Sequence, residues 1–300
     1  MKSIRMLAFS FLCALAQPAL AALNILACTP EWGSLSRELG GDKVNVYVAT
    51  TALQDPHHIE ARPSLIARAR SADLMVCTGA ELEIGWVPLL QTQSGNPKIQ
   101  TGQPGYFEAA RHVSMLEVPE RVDRAQGDIH PAGNPHVHLS PYNIEKVAVA
   151  LSERMARIDT GEATYYQART KAFLERWRQA TPRWEKDAAP LKGMPIVVYH
   201  KNFSYLTNWL GMREIGELEP KPGLPPTTSH LSDLLARLGK DPAKAVVRSA
   251  YNDPQAVEWL SARAKIPAVT LPFTVGGTDK AKDLFSLYDD TLSRLLAVVK

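Results

Sequence analysis

Eight histidines are spread along the chain, and five of them sit in three short clusters: Asp55-Pro56-His57-His58, Asn134-Pro135-His136-Val137-His138 and Tyr199-His200. Imidazole is the commonest transition-metal ligand among side chains, and a tetrahedral zinc site needs three or four N, S or O donors at about 2.0–2.3 Å. A proline directly before a histidine restricts the backbone and pre-orients the ligand. Two Pro-His pairs and one strand-end histidine therefore make a three-point metal site. Each piece alone is ordinary. A loop Pro-His is more often solvated, Asp55 as readily closes a turn on its own backbone as it orients a ligand, and His200 also reads as a partly buried histidine ending the run Ile196–Tyr199. The ordered constellation is what points to metal.

The surrounding pattern supplies elements to hold these residues. Short apolar or β-branched runs, NILACT, VNVYVAT and DLMVCTG, alternate with helical stretches near Trp32–Leu39 and over 63–71. This is the βαβ grammar of a parallel sheet covered by helices. From about residue 100 to 140 the pattern breaks into a polar stretch bearing Gly and Pro, which reads as mostly loop; long loops in compact domains are frequently functional. A 3.6-residue period returns at Pro141 with Ile144, Val147, Ala148, Leu151 and Met155 on one stripe, followed by a second helix over 163–184, about 30 Å long. The βα grammar then restarts with MPIVVYH, MREIGEL, AVVRSA and AVTLPF, separated by helices over 205–209, 229–238 and 254–264 and closed by one over 281–299. The expected fold is α/β: two lobes with mainly parallel sheets, 22–140 and 190–300, joined by a helical segment 141–189 that includes a long linker helix. In open α/β sheets ligands bind outside the carboxyl ends of the strands, and the histidine clusters fall at strand ends. The metal site is expected in the interlobe cleft.

Residues 1–21 combine Lys2 and Arg5 with an apolar core from Met6 to Ala16 and the triplet Ala19-Leu20-Ala21. That is a secretory signal peptide, cut after Ala21, and it makes the mature protein periplasmic. Ile25-Leu26-Ala27-Cys28 loosely resembles a lipobox, but Asn24 interrupts the apolar run and 23–28 reads better as a strand. The formal charge of +3 includes Lys2 and Arg5, so the mature chain stands near +1, which argues against nucleic acid or an anionic membrane as partner. Of three cysteines, Cys28 and Cys77 remain after the leader. In an oxidising compartment a disulfide is expected if their strands are neighbours; two buried thiols and a thiolate metal site are the alternatives.

The segments LQDPHHIEARPS, GNPHVHLSP and VVYHKNFSYLTNWLG resemble, in order and spacing, the metal-binding segments of zinc and manganese ABC-transporter substrate-binding proteins of the cluster A-I group. TPEWGSLSRELGG and SADLMVCTGAELEIGW resemble its first helix and the next strand and turn, so the similarity covers essentially the whole mature chain. The resemblance implies a non-enzymatic, monomeric solute-binding protein that delivers a metal ion to an ABC-transporter membrane permease. It implies His57, His136 and His200 as ligands. Three imidazoles imply Zn²⁺ over Mn²⁺, because manganese-selective relatives place a carboxylate where the third histidine stands and Mn²⁺ prefers oxygen. Cu²⁺ and Ni²⁺ bind such nitrogens at least as well on intrinsic affinity.

The chain departs from the family pattern at the fourth ligand. Relatives supply an aspartate after the last strand, where this sequence has Val275 or a close neighbour; Asp279, following Gly276-Gly277, is the substitute, unless it caps the final helix. Water and Glu60 are the other candidates, and Glu60 could also hydrogen-bond a ligand imidazole. His138 would point away from the site if its segment is extended, giving it a supporting role. His112 and His130 lie where zinc-selective members carry a histidine-rich loop, and read either as transient metal contacts or as solvated loop residues.

Two other function classes share part of this pattern. A zinc hydrolase uses three ligands and an open position, but needs a general base, for which Glu60 is the one nearby carboxylate. An extracytoplasmic adhesin or interaction module would hold a structural metal whose removal melts the fold.

Overall fold

The computed structural model describes residues 22–121 and 127–299; the expected leader and its cleavage after Ala21 lie outside the described residues. In the first half, β1 (Leu23–Ala27), α1 (Pro30–Gly40), β2 (Val44–Val48), α2 (Pro63–Ser71), β3 (Leu74–Cys77), α3 (Val87–Ser94) and β4 (Tyr106–Glu108) form a parallel sheet in the order β2-β1-β3-β4. Two long helices follow, α4 (Pro141–Ile158) and α5 (Ala163–Ala188). In the second half, β5 (Pro195–Val198), α6 (Ser204–Leu210), β6 (Arg213–Glu217), α7 (Thr228–Leu238), β7 (Ala245–Ser249), α8 (Gln255–Ala264), β8 (Ala268–Leu271) and α9 (Leu284–Val299) repeat the arrangement, in the order β6-β5-β7-β8. Both sheets are parallel throughout, so the α/β two-lobe expectation is met.

Local chemistry explains many of the boundaries. Helices α1, α2, α3 and α4 each carry proline in the first turn, where a missing N–H costs nothing and the fixed φ suits the helix. Helices α3 and α6 stop at Gly95 and Gly211, both left-handed. Strand β3 is buried at every position, as expected of a parallel strand covered on both faces.

Three features differ from the sequence reading. Helix α5 passes through Pro182 and continues beyond the expected end at 184 to Ala188; neighbouring Thr181 bonds the Trp177 carbonyl, and tertiary packing of Trp177 and Trp184 outweighs the one lost backbone bond. Helix α3 and strand β4 stand where no element was expected. The former is short and weakly amphipathic, and the latter is a three-residue edge strand whose existence depends on its pairing with β3.

One apolar core runs from Ile25 and Val76 of the first sheet, through Phe173, Trp177 and Trp184 of α5, to Val247 and Leu287 of the second half. Such a shared core opposes wide hinge motion.

Pairing of Ala27 with Val76 in the β1–β3 ladder sets the next residues side by side, and Cys28 and Cys77 are joined by a disulfide with Cα atoms 4.8 Å apart. Both sulfurs are therefore unavailable as thiols or metal ligands. Cys28 is also fully buried, directly after β1, as the strand reading of 23–28 expects.

Just past Cys77 the chain makes an unusual turn. Gly79, Ala80 and Glu81 are left-handed in succession, with φ of 76°, 51° and 64°. Buried Glu83 accepts the N–H groups of Thr78 at 2.8 Å and Gly79 at 3.0 Å. Burial raises its carboxyl to about 7, against the pull of those backbone bonds. A carboxyl whose native pKa lies above its unfolded value contributes stability that is complete below about 4.5 and is lost as pH rises through about 7. Metal-free protein is thus expected to lose on the order of 3 kcal/mol from this group between those pH values. Glu83→Gln should remove that component, leaving the histidine contributions in place. Urea midpoints of the two proteins across this range test it; parallel profiles would refute it.

Candidate metal centre

The two Pro-His dipeptides are built alike. Asp55 accepts the backbone N–H of His57 at 3.0 Å, and Asn134 accepts that of His136 at 3.0 Å. In both, an Asx side chain closes a turn over proline and fixes the histidine that follows. Asp55 does the second job as well, because its Oδ1 lies 2.7 Å from Nδ1 of His57. Burial disfavours the Asp55 carboxylate, but the bonds and charge of His57 outweigh it and hold its pKa below the ordinary value. The proton is thereby kept on Nδ1, and the Nε2 lone pair is left for a metal.

His200 leaves β5 beside β6. Val198 pairs with Glu217, so two residues further on His200 meets Glu219, whose Oε2 is 2.7 Å from Nδ1. Gly223 N–H holds the same oxygen at 2.9 Å. Burial opposes charge on His200, yet the Glu219 bond and the negative charges of Glu219 and Asp55 prevail and raise its pKa. Glu219 escaped the sequence reading; its signal exists only in the strand register.

His57, His136 and His200 converge, with one ligating atom of each within 4.8 Å of the others and ring centroids 5.5–5.7 Å apart. His136 is 1% exposed, and neither of its ring nitrogens has a hydrogen-bond partner. Burial, then the electrostatic influence of the neighbouring histidine rings, holds its pKa well below the usual imidazole value. A neutral, desolvated imidazole with two idle nitrogens is costly, and a metal bond would engage one of the two.

A fourth nitrogen stands close by. Nε2 of His130 is 3.3 Å from Nε2 of His57, and about 3.3 Å is the spacing of two nitrogens on one tetrahedral zinc. The ring also bonds the Ala80 backbone, and burial followed by the charges of His57 and His200 pushes its pKa down to about 3. Two small cavities flank the centre, one of about 210 Å³ beside His57 and His130 and one of about 190 Å³ beside His136 and His200.

The other sequence candidates lie elsewhere. Asp279 is exposed on the turn that follows Gly277, and Glu60 is exposed on the loop after His58; among the described residues neither belongs to the converging group, and His130 adjoins that group through His57 without being a member of it. Nor does Asp279 cap the last helix. That role falls to Asp283, whose Oδ1 accepts the Ser286 N–H at 2.7 Å. His138 is not on an extended strand but in a 3-10 turn over Val137–Leu139. Its Nε2 bonds the Phe273 carbonyl at 2.8 Å and its Nδ1 is 3.6 Å from Glu31. Glu31 accepts the hydroxyls of Thr29 and Thr274, so this buried cluster ties α1 to the turn after β8. His112 stacks on Phe107, away from the centre.

Comparison with known proteins gives a consistent set of relatives. The family described as periplasmic zinc-uptake complex component A matches residues 25–298. The high-affinity zinc uptake system protein ZnuA of Yersinia pestis is 23% identical over 250 residues, covering 79% of each chain. The ZnuA of Bacillus subtilis is 23% identical over 207 residues, 68% of this chain and 62% of the relative. The manganese ABC transporter substrate-binding lipoprotein PsaA of Streptococcus pneumoniae is 20% identical over 268 residues, 89% of this chain and 84% of the relative. A crystal structure of ZnuA superposes with a TM-score of 0.75 at 20% identity, over 91% of this chain and 99% of that one. The Cd-bound periplasmic metal binding protein of Candidatus Liberibacter asiaticus does so with a TM-score of 0.75 at 15% identity, over 93% of this chain and 100% of that one.

Proposed function

Because this chain belongs to the periplasmic zinc-uptake complex component A family, whose members are metal ABC transporter substrate-binding proteins and not enzymes, we propose that it captures Zn²⁺ between its lobes and passes it to a membrane permease. The observation that carries the choice of metal is the donor set: His57, His136 and His200 converge with His130 alongside, and no carboxylate oxygen is among them. Nitrogen donors suit Zn²⁺; Mn²⁺ favours oxygen and higher coordination. In this reading His130 takes the fourth position that the sequence assigned to Asp279, Glu60 or water. Residues 22–140 and 190–300 form the lobes, 141–189 connects them, and the protein works as a monomer after export and cleavage behind Ala21. N-terminal sequencing of the exported protein tests that last step.

Capture involves no bond-making other than coordination. The carboxylates of Asp55 and Glu219 hold two imidazoles with Nε2 toward the ion, Asn134 sets the third, and release follows from movement of the loops that carry them. Chelator-stripped protein titrated with Zn²⁺ and Mn²⁺ in competition should bind one Zn²⁺ tighter by more than about two orders of magnitude. Equal affinities, or tighter Mn²⁺, would reverse the assignment.

Glu219→Gln keeps the shape of the partner of His200 but removes its charge. Loss of such an outer partner costs roughly 10- to 100-fold in metal affinity. Zn²⁺ binding measured by chelator competition should fall within that range; a change of less than roughly threefold would mean that Glu219 does not orient His200.

A further inference from the structure

The turn at residues 78–86 touches the metal centre at three places while contributing no ligand. Its Ala80 backbone bonds the His130 ring. Its Trp86 indole donates to the Pro56 carbonyl at 2.9 Å, directly before His57. A side chain at Gly85 would come within 3.1 Å of the His57 carbonyl oxygen. The turn therefore supports both His57 and His130 from beneath.

Its conformation is not one the residues would choose. Left-handed backbone is unfavourable for a residue with a Cβ, and Ala80 and Glu81 both adopt it, with φ of 51° and 64°. Strain of this kind persists only where the surroundings over-determine it. Two fastenings do so here. The disulfide anchors Cys77 at the start of the turn, and the Glu83 side chain, 3% exposed, spends both oxygens on the N–H groups of Thr78 and Gly79. Among the described residues Glu83 lies outside the histidine group and beside the bonded sulfurs of Cys28 and Cys77.

We infer that Glu83 is a positioning residue for the metal centre: by fastening the left-handed turn it sets the Ala80 backbone that aims His130 at the ion held by His57. The inference rests on the reading of His130 as fourth donor. Without the carboxylate, the Thr78 and Gly79 N–H groups are unpaired, Ala80 and Glu81 relax toward ordinary backbone, and His130 loses the bond that directs it.

The test is the Zn²⁺ affinity of the chelator-stripped full chain, compared for wild type, Glu83→Gln, His130→Ala and the double variant, with a thermal transition recorded for each. Glutamine has one acceptor oxygen and so satisfies only one of the two N–H groups. Glu83→Gln is expected to weaken Zn²⁺ binding by roughly 10- to 100-fold, and the double variant should bind no more weakly than His130→Ala alone. Lowered thermal stability with wild-type affinity would make Glu83 merely structural and overturn the inference. So would a double variant whose loss is the product of the two single losses, because Glu83 would then act by another route. If His130→Ala binds Zn²⁺ like wild type, the fourth-donor reading falls and takes the inference with it; if it weakens binding and Glu83→Gln does not, only the inference falls. Should Glu83→Gln fail to fold, Ala80→Val strains the same turn by placing a β-branched residue at positive φ. It carries the same expectation, and wild-type affinity there would overturn the inference equally.

Discussion

Replacing His136 by alanine is expected to weaken Zn²⁺ binding about a thousandfold or more, since a ligand should count for more than the 10- to 100-fold of an outer partner, while leaving the metal-free protein folded. Both ring nitrogens of His136 are buried without hydrogen-bond partners, so the imidazole contributes little to the metal-free state beyond its packing against Phe273. Truncation removes that packing and also removes two unsatisfied polar atoms, each of which costs about 1–3 kcal/mol. The two effects oppose each other, and the apo melting point should move little. Binding behaves differently. The low pKa of His136 keeps it neutral, so it offers its lone pair without first losing a proton. A ligand at a thousand times its Kd stabilises the native state by about 4 kcal/mol, and this metal-induced shift should be present in wild type and absent in His136→Ala at the same Zn²⁺ concentration. Calorimetric titration and melting curves with and without metal measure both quantities. Wild-type stoichiometry and affinity in the variant would remove His136 from the site. Unfolding of the wild type on chelation would instead favour a structural metal.

The second large effect concerns the fold. Cys28→Ala/Cys77→Ala, which opens a disulfide of sequence separation 49, should lose about 4 kcal/mol of unfolding free energy on the chain-entropy model. Both residues are completely buried at the ends of adjacent central strands, and the lost sulfur packing adds to that cost. Because Cys77 leads into the turn beneath His57 and His130, some loss of Zn²⁺ affinity should accompany the loss of stability. Urea unfolding of metal-free wild type and variant measures the main effect. A difference below roughly 1 kcal/mol would mean that the unfolded chain is already restricted by other contacts.

Part of this protein is legible because its information is local. Asp55-Pro56-His57 and Asn134-Pro135-His136 each close on themselves through a bond between residues two apart, so the geometry travels with the tripeptide. The strands are legible as short apolar runs, and the helices as 3.6-residue stripes opened by proline. Where the local signal is weak the reading fails. Strand β4 is three residues long and helix α3 only eight, and both owe their existence to neighbours.

The residues that stand beside the three histidines are of the other kind. His130 reaches His57 across 73 residues, and Glu219 reaches His200 only because β6 lies alongside β5 with a register shift between Ile196 and Val197. Asp279, attractive by its place after the last strand, is carried by its turn to the solvent. By itself the sequence determined most of the α/β elements and the three histidines at strand ends, since each is encoded within a few residues, whereas the pairing of Cys28 with Cys77 waited on β1 and β3 being neighbours. The order of the strands, the carboxylates that orient two imidazoles and the nitrogen that stands beside them were decided by tertiary structure alone. Those contacts join segments whose meeting depends on how the whole core packs, and no spacing along the chain records it.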